Sequence, residues 1–114
     1  MVLCGANAYE QKYYLNPEFT ELPTQIKEEL QIMCVLYTEE AGGVITLEFD
    51  DCGTLLVNTA SNENDFSYDE IDADLKLRQI LRSKQELFAQ LELYYRIFIE
   101  GNLPEDALKE SGNA

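Results

Sequence analysis

From Ser67 to Gly101 the apolar residues recur with a helical period, and no other stretch restricts the fold as strongly. Ser67-Tyr68-Asp69-Glu70 matches a capping box, in which serine and glutamate satisfy backbone N–H groups orphaned in the first turn. Gly101 suits the position just past a helix end, where a left-handed backbone closes the last turn. Asp69, Glu70, Asp72 and Asp74 come first, and Lys76, Arg78, Arg82 and Lys84 follow. That order suits the helix dipole and permits an Asp74–Arg78 pair at i, i+4. Leu77, Leu81, Lys84, Phe88, Leu91, Tyr95 and Phe98 step by four and three, and Ile80, Leu87 and Tyr94 widen the stripe. Lys84 interrupts a coiled-coil seam, so the stripe fits packing on a sheet or bundle better. Leu93, Ile97 and Ile99 form a second apolar face. Either these turns are buried on two sides or, with Tyr94, they contact another subunit.

A period of two precedes this helix. Ile45, Leu47 and Phe49 alternate with Val44, Thr46 and Glu48, Asp51-Cys52-Gly53 supplies a turn, and Leu55 and Val57 point inward on the return strand. Upstream, Pro23 and residues 25–30 favour a helix, with Ile26 and Leu30 on one face. Residues 31–38 fit two readings. A continued helix would align Ile26, Leu30, Met33, Cys34 and Tyr37 and end at Gly42; a strand would use Ile32, Val35, Tyr37 and Thr38. The strand is preferred, because a helix ending at Glu39-Glu40 sets two carboxylates against its negative end. Ala41-Gly42-Gly43 then turns a second hairpin, giving a meander. Residues 1–22 are least legible; Lys12–Leu15 suits a short strand before Asn16-Pro17. The expectation is a single α+β domain over residues 1–100. It has an antiparallel sheet of about three strands, a short N-terminal helix and a long C-terminal helix on one face, with residues 101–114 a flexible tail.

Composition excludes more than it identifies. Hydrophobic residues make up 46% of the 114, which places the chain among globular proteins. Twenty-two acids against eight bases give a net charge of −14, which repels nucleic acid and anionic lipid. With no histidine, the commonest general base and metal ligand is missing. Cys4, Cys34 and Cys52 are odd in number and widely spaced, which reads as reduced thiols in the cytoplasm. No secretory signal is expected at Met1–Gly5, and the apolar run Ile32–Tyr37 is far short of the ~20 residues needed to span a bilayer.

No motif points to catalysis. The six glycines match neither a dinucleotide-binding nor a P-loop spacing. Read as a calcium loop from Asp65, the chain has Glu70 where glycine is needed and Lys76 where glutamate is needed. Turn chemistry accounts for Glu48, Asp50 and Asp51, and no base is present to activate Cys34 or Cys52. No metal, cofactor or enzymatic activity is expected. Seven tyrosines, including Tyr13-Tyr14 and Tyr94-Tyr95, suit either the core boundary or an interface.

Cys4-Gly-Ala-Asn-Ala-Tyr-Glu10, Tyr37-Thr-Glu-Glu-Ala-Gly-Gly43 and Glu86-Leu-Phe…Leu93-Tyr-Tyr-Arg96 together resemble a small uncharacterised family from anaerobic Firmicutes, over residues 2–100. That resemblance implies no activity and transfers no site. The layout of helix, meander, acidic linker and long helix is similar to that of YezG-type immunity proteins, which neutralise toxins. The leading expectation is a non-enzymatic protein that binds a basic partner, immunity-like, through Glu63, Asp65, Asp69, Glu70, Asp72 and Asp74. A homodimer joined through Leu93, Tyr94, Ile97 and Ile99 is the alternative, and a carboxylate-metal enzyme comes third.

Overall fold

The computed structural model describes residues 1–101, so the expected tail beyond Gly101 lies outside the described residues. Strands β1 (Val2–Asn7) and β2 (Lys12–Leu15) form a hairpin, and a 3-10 turn at Pro17–Phe19 leads to helix α1 (Thr24–Ala41). Strands β3 (Val44–Phe49) and β4 (Leu55–Ala60) form the second hairpin. Helices α2 (Glu70–Ser83) and α3 (Gln85–Tyr94) follow, and a π-helical turn at Tyr95–Ile99 ends the described chain. The domain is α+β as expected, but its antiparallel sheet has four strands, in the order β2-β1-β3-β4.

Strand β1 is the element hardest to read from sequence, because it lacks clean alternation. Its register against β3 slips between Val2 and Cys4, a bulge that lets the adjacent Leu3 and Cys4 both reach full burial. β3 alternates without fault: Ile45, Leu47 and Phe49 are buried, and Val44, Thr46 and Glu48 face outward. The helices cover the buried face, where Leu30, Met33, Cys34 and Tyr37 of α1 meet the inward residues of β1 and β3.

The strand expected over residues 31–38 is instead the second half of α1. Leu30, Met33, Cys34, Tyr37 and Thr38 form one buried stripe, and Gly42 closes the helix at φ 79° with its N–H on the Thr38 carbonyl. Glu39 and Glu40 are exposed at the negative helix end, which costs at most about 1 kcal/mol each. Burying each large apolar side chain of the stripe contributes about 1.5–3 kcal/mol, so packing outweighs the dipole. Because residues 31–38 are helical, β3 takes β1 rather than this segment as its second partner.

The long C-terminal helix is also broken. Lys84 adopts φ −112° and ψ 22°, separating α2 from α3 at the residue that interrupts the heptad pattern. Its Nζ reaches Glu29 of α1 at 2.9 Å. In the π-helical turn the Glu100 N–H donates to the Tyr95 carbonyl. There Tyr95 stacks on Phe49 at 4.2 Å, while Tyr94 lies 6.2 Å from Phe19 and 4.8 Å from Phe98.

Candidate functional site

Four segments converge where α1 ends, β4 ends, the acidic linker 61–69 runs and α2 begins. The linker is held at several points. Asp65 accepts from the Tyr9 hydroxyl at 2.6 Å and from the Ser67 hydroxyl at 2.6 Å, and the Asn62 N–H donates to the same Tyr9 oxygen at 3.0 Å. The Ser67 and Tyr9 hydrogen bonds hold the Asp65 carboxyl below its ordinary range, and Asp65 in turn raises the Tyr9 phenol. Ser67 is therefore part of an Asx turn, and the expected Ser67–Glu70 capping box does not form. Asp69 caps α2 instead, accepting from the N–H groups of Ile71 and Asp72.

Tyr68 is positioned by the glycines that end α1. A Cβ on Gly43 would lie 2.9 Å from the Tyr68 ring and 2.4 Å from the Ala60 carbonyl, and Gly43 has φ 71°. Only glycine lets the tyrosine ring and strand β4 approach this turn so closely. Tyr68, Thr59, Ser61, Glu70 and Asp74 line a cleft of about 320 Å³, with Ala73 and Leu77 among its apolar wall residues. Tyr37 of α1, only 2% exposed, belongs to the wall of the neighbouring α1–α2 cleft and not to this one. Its hydroxyl is enclosed beside Tyr68 and Thr59, and burial, then the neighbouring Tyr68, push its ionisation up.

The six acids expected to act together have separate roles here. Asp65 is tied to Tyr9 and Ser67, and Asp69 caps a helix. Asp72 pairs with Lys76 at 2.8 Å and Asp74 with Arg78 at 2.9 Å. Glu63 and Glu70 are exposed and, among the described residues, make no ion pair. The structure brings Glu70 and Asp74 to one cleft. Thr59, Ser61 and Tyr68, its hydroxyl-bearing residues, were not singled out by sequence as a site. Tyr68 is hidden inside an apparent cap.

Of the four expected dimer contacts, Leu93 is 45% exposed, while Tyr94, Ile97 and Ile99 are partly buried. Tyr94 and Ile99 pack against the core, and the neighbouring Phe98 is 68% exposed.

Two larger clefts flank α1. One of about 520 Å³ lies between α1 and α2, with Ile32, Leu36 and Ile80 in its wall and Glu28, Glu40 and Lys76 at its rim. The other, of about 630 Å³, lies between α1 and the β1–β2 hairpin and includes Asn7, Gln11, Gln31 and Glu39. The Cys4 and Cys34 sulfurs are 4.0 Å apart and fully buried, and the hydrogen bond to Cys4 together with burial pushes the Cys34 thiol up. Among the described residues no three Cys, Asp or Glu side chains converge as a metal site, and no helix is long and apolar enough to cross a membrane. Asp50 is used by its turn, accepting from the N–H groups of Cys52 and Thr54 at 2.9 Å.

A family model described as a family of unknown function, DUF6145, matches residues 1–103. The chain belongs to that family. No curated protein and no solved structure matches it. DUF6145 thus accounts for the likeness seen across nearly the whole sequence, and it assigns no residue a role.

Proposed function

We propose that this DUF6145 protein is a non-enzymatic interaction module that binds a basic protein partner at the corner formed by the linker and the start of α2. One observation carries the reading: a linker rich in acids is clamped by Tyr9 and Ser67, so the Glu63, Glu70 and Asp74 carboxylates lie on a preorganised surface. A fixed surface loses less conformational entropy on binding than a mobile acidic loop would. The net charge of −14 would steer a cationic partner towards it and keep polyanions away. An immunity-type role, masking the basic surface of a toxin, is one form such a partnership would take. A reducing cytoplasm suits the three free thiols.

An octa-arginine peptide is a suitable first probe, followed by calorimetry at about 50 mM and about 500 mM salt, where the screening length differs roughly threefold. Binding should weaken at least about tenfold with salt, and Glu63→Gln/Glu70→Gln/Asp74→Asn should weaken it more than the charge-matched set Glu18→Gln/Glu21→Gln/Glu28→Gln around the opposite, N-terminal end of α1. No binding at low salt, or equal effects of the two sets, would overturn the proposal. Self-association through Leu93–Ile99 is the weaker reading, since Tyr94 and Ile99 are engaged by the core. A monomer whose light scattering is independent of concentration would remove it.

A further inference from the structure

The groove between α1 and α2 is apolar in its middle and acidic towards its ends. It encloses about 520 Å³, with Met33 and Ile80 in its wall. Ile32 is 58% and Leu36 49% exposed, and the two stand one turn apart on the face of α1 that lines the groove. Single exposed apolar residues are ordinary on a protein surface, but two on one helical face, with Ile80 in the opposite wall, make a strip. Both lysines at the rim are already engaged, Lys76 by Asp72 at 2.8 Å and Lys84 by Glu29 at 2.9 Å. Glu28 and Glu40 are exposed and make no ion pair among the described residues. They bracket the strip, about 18 Å apart along the helix axis.

We propose that this groove takes an amphipathic helix of the basic partner, with its apolar face on Ile32, Leu36 and Ile80 and its cationic ends at Glu28 and Glu40. The inference rests on the reading that the partner is basic, not on the corner as its docking place. Two neighbouring helices present ridges of side chains with a furrow between them, and a third helix is the element that fits such a furrow. Charge decides between occupants. A second copy of this chain, at −14, would set an acidic surface against the acidic ends, and residues 102–114 carry three acids to one lysine. A helix with lysine or arginine about twelve residues apart and apolar side chains between them complements both the strip and its ends. The groove and the acidic cleft use different faces of α2: Lys76, Ile80 and Ser83 line the first, and Glu70, Asp74 and Leu77 the second. One partner can reach across α2 to both.

The test titrates the full chain at low salt with a leucine–lysine peptide about fourteen residues long, which spans about 21 Å as a helix and carries its leucines on one face. Calorimetry gives the affinity, and methyl NMR should show saturable shifts at Ile32, Leu36 and Ile80. A peptide of the same composition in strict alternation, which scatters the leucines round a helix, should bind at least about tenfold more weakly. Ile32→Ala/Leu36→Ala should also lose at least about tenfold, with the melting temperature little changed because both residues are exposed. Glu28→Gln/Glu40→Gln, which removes no packing, should weaken binding and flatten its salt dependence. Equal affinity for the alternating peptide, an alanine variant that binds as well as the wild type, or equally tight binding of a peptide with glutamine for every lysine would overturn the inference. Its failure is distinct from failure of the corner. If the helical peptide ignores Ile32→Ala/Leu36→Ala but is weakened by Glu63→Gln/Glu70→Gln/Asp74→Asn, the groove falls and the acidic corner stands. Octa-arginine has no apolar face, so if it fails to bind while the leucine–lysine helix binds at the groove, the corner falls and the groove stands.

Discussion

Helix α2 and strand β3 are both regular, and both carry apolar residues at the correct period, yet they are held in place differently. β3 sits between two strands and buries Ile45 and Leu47 completely. Of α2's side chains only Ala73 is buried, while Ile71 is 76% and Leu75 55% exposed. α2 is defined by polar devices: the Asp69 cap, two i, i+4 ion pairs and the clamped linker before it. Apolar burial fixes the sheet half, and hydrogen bonds and charge fix the α2 corner. Surfaces that bind partners tend to come from the less buried, less stable parts of a fold, which favours the corner as the working end.

Two leucines give the sharpest way to break that comparison. Leu47→Ala should cost about 2–5 kcal/mol in denaturant unfolding, because it opens a cavity in a tightly packed face. Leu75→Ala should change stability by less than about 0.5 kcal/mol. Comparable losses at both sites would show that α2 has a buried partner. Gly43 lies on the boundary between the two halves. Gly43→Ala meets the Ala60 carbonyl at 2.4 Å and the Tyr68 ring at 2.9 Å with φ at 71°, and should cost about 2 kcal/mol or more while displacing Tyr68. Gly42→Ala, with the ring 3.8 Å away, should carry the backbone penalty alone, about 1–3 kcal/mol at φ 79° and ψ −170°, where only glycine is at ease, and should leave Tyr68 in place. Equal displacement of Tyr68 by the two variants would mean that its close approach to Gly43 is unimportant.

The same division explains what could be read in the sequence. β3 and β4 were legible because one face is buried, so Ile45, Leu47 and Phe49 alternate strictly with outward residues. β1 was not, because a bulge places two neighbours, Leu3 and Cys4, on the same side and erases the period. Residues 31–38 carried both periods at once. The choice went to the helix through the cooperative extension of α1 and the burial of Met33, Cys34 and Tyr37, which outweigh a local dipole term. At the candidate site the acids were visible as composition, but their roles were not. Whether Asp69 or Ser67 caps a helix depends on where the linker is tied, and Tyr9, more than fifty residues away in sequence, ties it. The cleft's lining comes from β4, the linker and α2, and only the tertiary fold brings them together.

The cap is the next smaller test. Asp69→Ala should cost about 1 kcal/mol and accelerate amide exchange chiefly in the first turn of α2, because it removes an acceptor from two N–H groups. Ser67→Ala should leave that turn almost unchanged. Were Ser67→Ala the more damaging of the two, the capping box expected from the sequence would be the true start of the helix.

The smallest expected effect concerns the linker clamp and pH. Asp65 has its carboxyl held below the ordinary value of 3.8, chiefly by the Ser67 hydrogen bond and then by Tyr9. A depressed folded-state pKa contributes stability that is fully present above the unfolded value and is lost as pH falls through the folded one. Tyr9 has the opposite sign: its phenol is raised above 10.0 by Asp65, so its contribution is present below that value and is lost as pH climbs through the folded pKa. The clamp should therefore hold across neutral pH and release at both extremes. Amide exchange at Asn62 and Ser67 reports it directly, through the bonds these residues make to Tyr9 and Asp65. Tyr9→Phe should return the Asp65 titration towards 3.8 and raise linker exchange, while leaving the amides of β3 untouched. If exchange in β3 rose in step with that in the linker, the corner would be part of the core's cooperative unit, and its independence as a binding surface would be lost.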